Sequence, residues 1–150
     1  MPYLISDRTL ALIPSSKKTK VLEQDITRTL YEEAHEIVSR SCQVNGSTLE
    51  GRQKGSSFLI GSSYKPPIII SDQENIIMIP THSVRNKNCM WISLNNLLNY
   101  YPYCNDRVAI EFRNHQKLIL NISYGVFDRQ VLRATRLESA LRGRNNKKHL

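Results

Sequence analysis

Two short apolar segments near the middle of the chain, 68–70 and 76–79, give the strongest indication of how it folds. Both are apolar at every position and lack the alternation of a strand with one wet face, which indicates burial on both faces. Because proline pushes the preceding residue into an extended conformation, Lys65-Pro66-Pro67 predicts a stiff, extended lead-in. Asp72 and Asn75 suit the turn between the segments. We therefore predict a buried hairpin at the centre of the core.

The size of the chain, 150 residues with 40% hydrophobic content, is enough for one domain with a core. Its longest apolar run is four residues, too short for a transmembrane helix. Asp7 and Arg8 interrupt the apolar centre that a signal peptide would need. Cys42, Cys89 and Cys104 lack a paired spacing and predict reduced, structural thiols without a disulfide or a metal site. We expect a cytoplasmic protein.

The net charge of +8 is unevenly distributed. Residues 1–38 carry −1, residues 39–100 carry +3 and residues 101–150 carry +6. A basic surface that grows toward the C-terminus is typical of proteins that bind a polyanion. A solvated basic surface that only keeps the protein soluble would have the same composition, so charge alone leaves both interpretations open.

The first third of the chain predicts a strand at 9–14, a polar connector at 15–20 and, for 21–28, either strand or loop. Thr29 and Glu32 have the spacing of a capping box and predict a helix start. The apolar face of that helix would consist of Leu30, Ala34, Ile37, Val38 and Ser41.

Glycine and basic residues are concentrated at 45–55, which predicts a flexible basic loop without the spacing of a phosphate-binding loop. A second basic loop is predicted at 81–88, after the core hairpin. Trp91-Ile92 predicts a strand in the core. Ser93 is a candidate N-cap for a short helix that would carry Leu94, Leu97, Leu98 and Tyr101.

A second hairpin is predicted from the segments 107–112 and 117–122, with Val108, Ile110 and Phe112 on one face. Its turn is 113–116, in which Asn114 suits a positive φ. A basic amphipathic helix is predicted at about 127–141, followed by a basic disordered tail at 144–150. Three arginines on one face of this helix would repel one another unless they met a negative partner: Arg129, Arg133 and Arg136. The predicted fold class is α+β, a single domain of antiparallel hairpins and a few helices.

No catalytic or metal-binding motif is present. The four histidines are scattered, and no serine lies in a nucleophile elbow. His82 and Cys89 could form a base and nucleophile pair, but no third group completes it. We therefore expect neither an enzyme nor a cofactor.

A series of short motifs resembles the ComK family of competence transcription factors from Gram-positive bacteria. In order, these motifs are Arg40-Ser41-Cys42, Gly46-Ser47, Gly51-Arg52 with Lys54, Lys65-Pro66-Pro67-Ile68, Pro80-Thr81 with Ser83, Trp91-Ile92-Ser93, and Ile122-Ser123-Tyr124 with the arginine-rich helix. The resemblance spans about residues 40–141, is weaker at 11–14 and is poor at 15–38. Family members carry a longer C-terminal segment, so the chain is expected to be a short or divergent member.

The resemblance implies a transcriptional activator of genes for DNA uptake that binds AT-rich boxes through the minor groove as a homo-oligomer. RNA polymerase and a proteolytic adaptor are further implied partners, and association with the nucleoid follows. Residues 1–143 would form the DNA-binding domain. The matching positions are Arg40, Gly51, Arg52, Lys54, Lys65, Pro66, Pro67, Pro80, Thr81, Trp91 and Tyr124.

Basic residues in four regions are the predicted DNA contacts, and for each the alternative is a solvated surface charge. They are Arg40, Arg52, Lys54, Lys65, Arg85, Lys87, Arg129, Arg133 and Arg136. An alternative function is a protein-interaction regulator that forms mixed oligomers with a full-length relative and does not itself activate.

Overall fold

The fold comes from a computed structural model that describes residues 2–62 and 64–148. Over these residues the chain forms nine strands and three helices. In chain order they are β1 Thr9–Ser15, β2 Lys18–Glu23, β3 Thr27–Leu30, α1 Ala34–Val44, α2 Leu49–Ile60, β4 Ile68–Ser71, β5 Ile76–Pro80, β6 Trp91–Ser93, β7 Leu97–Tyr103, β8 Arg107–Phe112, β9 Lys117–Leu120 and α3 Tyr124–Lys148.

The strands form two antiparallel sheets. The larger has the order β3-β2-β1-β6-β5-β4, and the smaller has the order β7-β8-β9. The α+β class, the antiparallel hairpins, the single domain and the C-terminal helix are confirmed. Within the described ranges, none of the helices combines the length and hydrophobicity needed to cross a bilayer.

The predicted core hairpin is β4–β5, and every residue of its two strands is buried. Ile69, Ile77 and Ile79 pack in a cluster with the small sheet and α3. Ile68, Ile70, Met78 and Trp91 face the other way, into a cluster with α1. The hairpin is thus covered on both faces, which explains why its strands do not alternate. Each fully buried isoleucine contributes roughly 1.5–3 kcal/mol of transfer free energy.

The predicted extended conformation of Lys65 is wrong, since its φ is +47°. This left-handed conformation before proline is costly. Buried Gln130 holds the turn in place, because its amide donates to the carbonyls of Lys65 and Pro80, both at 2.9 Å. Tertiary hydrogen bonds therefore override the local preference.

The predicted capping box at Thr29 is also wrong. Thr29 lies in β3, where it pairs with Lys20 of β2, and α1 begins only at Ala34. The segment 15–20 is not a connector: Ser16 and Lys17 have positive φ and turn the chain directly from β1 into β2. The strand alternative is the correct one for most of 21–28. Strand pairing here outcompetes a cap, because it satisfies more backbone groups.

Residues 49–55 of the predicted glycine loop belong to the helix α2. Its ends carry strong signals: the Thr48 hydroxyl accepts from the amide of Gly51 at 2.9 Å, and Gly61 terminates the helix with φ +71°. Glycine within a helix costs about 1 kcal/mol relative to alanine. Burial of Ile60 in the cluster with the sheet and α3 offsets that cost.

The short helix predicted after Ser93 is wrong, because Leu97–Tyr103 forms β7 and pairs with β8. The strand at Trp91 and the burial of its indole are confirmed. In the second hairpin it is His115, at φ +72°, and not Asn114, that has the positive φ.

The helix α3 is longer at both ends than predicted and includes the backbone of residues 144–148. His149 and Leu150 of the predicted tail lie outside the described residues, and the domain limit at 143 stays a prediction.

Candidate nucleic-acid interface

A groove of about 1190 Å³ lies between the β1–β2 turn, the first residues of α1 and α2, the segment 64–66 and the loop 83–87. Its floor is partly apolar and includes Pro14, Val84 and Trp91. Five cationic residues line it, against the acidic Glu33 and Glu50: Lys17, Lys18, Lys65, Arg85 and Lys87. The groove is therefore a concave, positively charged surface.

Two of these cations, Lys17 and Lys18, are in the β1–β2 turn and are missing from the sequence prediction. Lys17 has φ +66°, and the tight turn brings both lysines to one wall of the groove. The Lys18 ammonium lies 5.0 Å from the centroid of the exposed Tyr31 ring, a cation–π contact. The sequence signal was the charged pair between two apolar segments, which a hairpin turn would present together.

The opposite wall is a loop stabilised by its own hydrogen bonds. Thr81 bonds twice to Met90: its amide donates to the Met90 carbonyl, and its hydroxyl accepts from the Met90 amide, both at 2.9 Å. The backbone amide of Asn86 donates to the Ser83 carbonyl, and the Asn86 carbonyl accepts from the Cys89 amide. These bonds hold the loop in one shape with Arg85 and Lys87 exposed at its tip.

Lys65 connects the groove to α3. Its ammonium donates to the Thr81 carbonyl at 3.4 Å and lies 5.2 Å from the Tyr64 ring centroid. Burial lowers the pKa of Lys65, and the positive charges of Arg133 and Arg129 lower it further. The positive surface thus continues from the groove to the first half of α3, and an anion bound there would relieve the repulsion.

The three arginines predicted on α3 are in different situations. Arg129 and Arg136 are exposed. Arg133 is half-buried and donates to the Tyr64 carbonyl at 3.0 Å and to Gln130 at 2.9 Å. Arg133 therefore also holds the segment that carries Lys65.

The remaining predicted contacts are not brought into the groove. Arg40 gives its guanidinium to Glu32 and to the Tyr3 carbonyl. Lys54 forms an exposed ion pair with Glu50 at 3.1 Å, and Arg52 lies near the Asn45 carbonyl at 3.5 Å. Neither Arg52 nor Lys54 is on a mobile glycine loop, because both are on α2.

His82 and Cys89 do not form the base and nucleophile pair considered from the sequence. The Cys89 thiol donates to the backbone carbonyl of His82 at 3.2 Å, while the His82 ring bonds to the Thr81 hydroxyl. Burial raises the pKa of Cys89, which keeps it a thiol and a poor nucleophile. Cys42 is also buried, whereas Cys104 is exposed and so is not a structural thiol. In the described part of the chain, Glu33, His35 and Glu36 alone bring possible metal-ligand atoms close together, all of them exposed.

Comparison with known proteins gives a match to the model of the family described as ComK protein, over residues 1–146. The chain belongs to the ComK family. The match extends beyond the expected 40–141 and includes residues 15–38, which supply the turn with Lys17 and Lys18.

A curated relative is the competence transcription factor of Bacillus subtilis (strain 168), which is 30% identical over 146 residues. The alignment covers 95% of this chain and 76% of the relative. No solved structure matches the chain. ComK is a family of competence transcription factors and not of enzymes.

Several residues of the ComK-like motifs support the groove rather than line it with charge. Pro66 and Trp91 are buried at the base of the groove, and Thr81 holds the loop that carries Arg85 and Lys87. Tyr124 packs against Tyr100, with ring centroids 5.5 Å apart, at the start of α3. The motifs therefore mark the scaffold that sets the shape of the basic surface.

Proposed function

We propose that this ComK-family chain activates competence genes by binding double-stranded AT-rich DNA as a homo-oligomer, with the basic groove as its DNA contact. The observation that carries the proposal is the convergence of Lys17, Lys18, Lys65, Arg85 and Lys87 from three separate segments on one concave surface. AT-rich DNA has a narrow minor groove with enhanced negative potential, which attracts inserted lysine and arginine side chains. Nucleoid association in the cytoplasm, and contacts with RNA polymerase and a proteolytic adaptor, belong to the same proposal.

The test is the salt dependence of binding to a labelled AT-box duplex, measured by fluorescence anisotropy. Each phosphate contact contributes about 0.9 to the slope of log K against log salt concentration. We expect a slope of several units for the unmodified chain. Lys17→Ala with Lys18→Ala should lower the slope by about 1–2, and Arg85→Ala with Lys87→Ala should do the same.

The matched control removes two positive charges elsewhere. Arg113 and Arg142 line a separate pocket of about 390 Å³ that shares no residue with the groove. Arg113→Ala with Arg142→Ala should therefore leave the slope unchanged. A flat salt dependence of the unmodified chain, or an equal loss in the control, would contradict the proposal. Binding only in the presence of a full-length relative would instead favour the mixed-oligomer regulator.

A further inference from the structure

The small sheet has an outer face that faces away from the core and shares no residue with the groove. Its register places Tyr101 opposite Ala109 and Ala109 opposite Ile119, in one row across the three strands. Tyr103 lies opposite Arg107 at one end. The alternate residues of β8, Val108 and Ile110, face the core. We call this surface the outer face.

Large apolar groups are exposed on the outer face. Tyr101, Tyr103 and Ile119 are 37%, 44% and 36% exposed. Ala109, the small residue between them, is buried beneath its neighbours, so the row is a shallow platform rather than a pocket. A contiguous aromatic and aliphatic patch on a well-packed sheet marks an interaction surface.

Positive charge borders this platform. The Arg107 guanidinium lies 5.2 Å from the centroid of the Tyr103 ring, and Lys117 is exposed at the other end of the outer face. The acid of this face is Glu111, which is opposite Lys117 and accepts from the His115 ring at 3.2 Å. Tyrosine rings combined with arginine and lysine form the surface that stacks unpaired bases and meets their phosphates.

We propose that the outer face binds single-stranded nucleic acid, with bases stacked on Tyr101 and Tyr103 and phosphates held by Arg107 and Lys117. A duplex does not fit this platform, because its bases are already stacked and present only their edges. A second copy of the chain fits less well than a polyanion, because it would bring a second Arg107 and a second Lys117 to the same interface.

The experiment measures anisotropy of a labelled oligothymidylate of about twelve nucleotides with the full chain at low salt. Because each stacked base contributes substantially to binding, Tyr101→Ala with Tyr103→Ala should weaken it by about tenfold or more. Tyr101→Phe with Tyr103→Phe keeps both rings and should keep the affinity. Affinity for the AT-box duplex should be unchanged in both variants.

Lys17→Ala with Lys18→Ala serves as the converse variant, weakening duplex binding more than single-strand binding. If the double alanine variant does not fold, Tyr103→Ala alone, at the end of β7, provides the same comparison. An unchanged single-strand affinity in the alanine variants, or an equal loss in the phenylalanine variant, would overturn the proposal. The proposal would also be overturned if the alanine variants changed their oligomeric state in sedimentation while single-strand binding stayed intact. That result would make the outer face a protein interface.

Discussion

At the scale of single residues, Arg40 joins the N-terminus to the first helix. Its guanidinium makes two hydrogen bonds to the Glu32 carboxylate, at 3.0 and 2.5 Å, and two to the Tyr3 carbonyl, at 3.1 and 2.8 Å. Its hydrogen bond to Glu32 raises the pKa of Arg40, so the residue stays charged. A bidentate pair of this kind adds both energy and geometry.

We expect Arg40→Ala to lower the free energy of unfolding by about 2 kcal/mol, because it removes charge-assisted bonds and leaves the Tyr3 carbonyl unsatisfied. Urea denaturation measures this loss. Arg40→Lys keeps the charge but lacks the planar fork, so it should restore only part of the stability. Normal stability with a large loss of DNA affinity would instead make Arg40 a DNA contact.

Two weak acids, the buried Cys42 thiol and the half-buried Tyr3 phenol, couple stability to alkaline pH. Burial raises the pKa of Cys42 from 9.0 to about 11 and that of Tyr3 from 10.0 to about 12. The unfolded chain therefore loses these protons first as the pH rises. Their contribution to stability is complete below about pH 9 and is lost progressively toward pH 11 for Cys42 and pH 12 for Tyr3.

The urea concentration at the unfolding midpoint should accordingly decrease as the pH is raised from about 8.5 to about 10.5. Over this range the unfolded chain binds fewer protons than the folded chain, so stability falls with pH. Cys42→Ala is expected to be less stable at neutral pH because of the cavity it leaves. Its stability should nevertheless vary less with pH over this interval. A variant curve parallel to that of the unmodified chain would show that Cys42 does not carry the effect.

At the scale of elements, α2 depends on its ends more than on its interior. Its middle contains Gly51 and Gly55, and two basic residues of the ComK-like motif, Arg52 and Lys54, are on it. The Thr48 cap and the left-handed Gly61 define the helix between them. By contrast Glu33, the N-cap residue before α1, makes no side-chain cap bond, and packing of Ile37 and Val38 stabilises that helix instead.

Thr48→Ala should lower the free energy of unfolding by about 1 kcal/mol, because the Gly51 amide loses its acceptor. Thr29→Ala is the matched control: it is exposed in β3 and should cost less than half as much. Chemical denaturation of both variants makes the comparison. A larger loss of stability in Thr29→Ala than in Thr48→Ala would support the capping role that the sequence predicts for Thr29.

At the scale of the whole molecule, the basic surface is assembled from distant parts of the chain. The β1–β2 turn, the loop 83–87 and Lys65 surround one groove, and Arg133 and Arg129 on α3 extend it. A duplex bound in the groove would meet the exposed side of α3 next.

We expect Arg129→Ala with Arg136→Ala to lower the salt slope of duplex binding by about 1–2, since both side chains are exposed. Arg133→Ala should also weaken binding, in part by releasing the Tyr64 carbonyl and the Lys65 segment. The Arg113 and Arg142 pair again serves as the control. A slope unaltered by the loss of Arg129 and Arg136 would confine the DNA contact to the groove.

Features that depend on local pattern could be predicted from the residues alone. The uninterrupted isoleucines predicted a hairpin covered on both faces, the alternation at 108–112 predicted a second hairpin with Val108, Ile110 and Phe112 on one face, and the ordered motifs predicted the family. These succeed because burial of apolar side chains is the largest favourable term in folding and has a visible period.

Which local signals prevail, and which charges lie together, depends on contacts between distant segments of the folded chain. Thr29 is a good cap in isolation but pairs as a strand, and Lys65 adopts a left-handed conformation because Gln130, far along the chain, bonds to its carbonyl. Lys17 and Lys87 line one groove although many residues separate them. Strand pairing and side-chain hydrogen bonds between distant segments outweigh local preferences of about 1 kcal/mol. The sequence also does not show which charged residues will be neighbours, because that depends on how the chain folds.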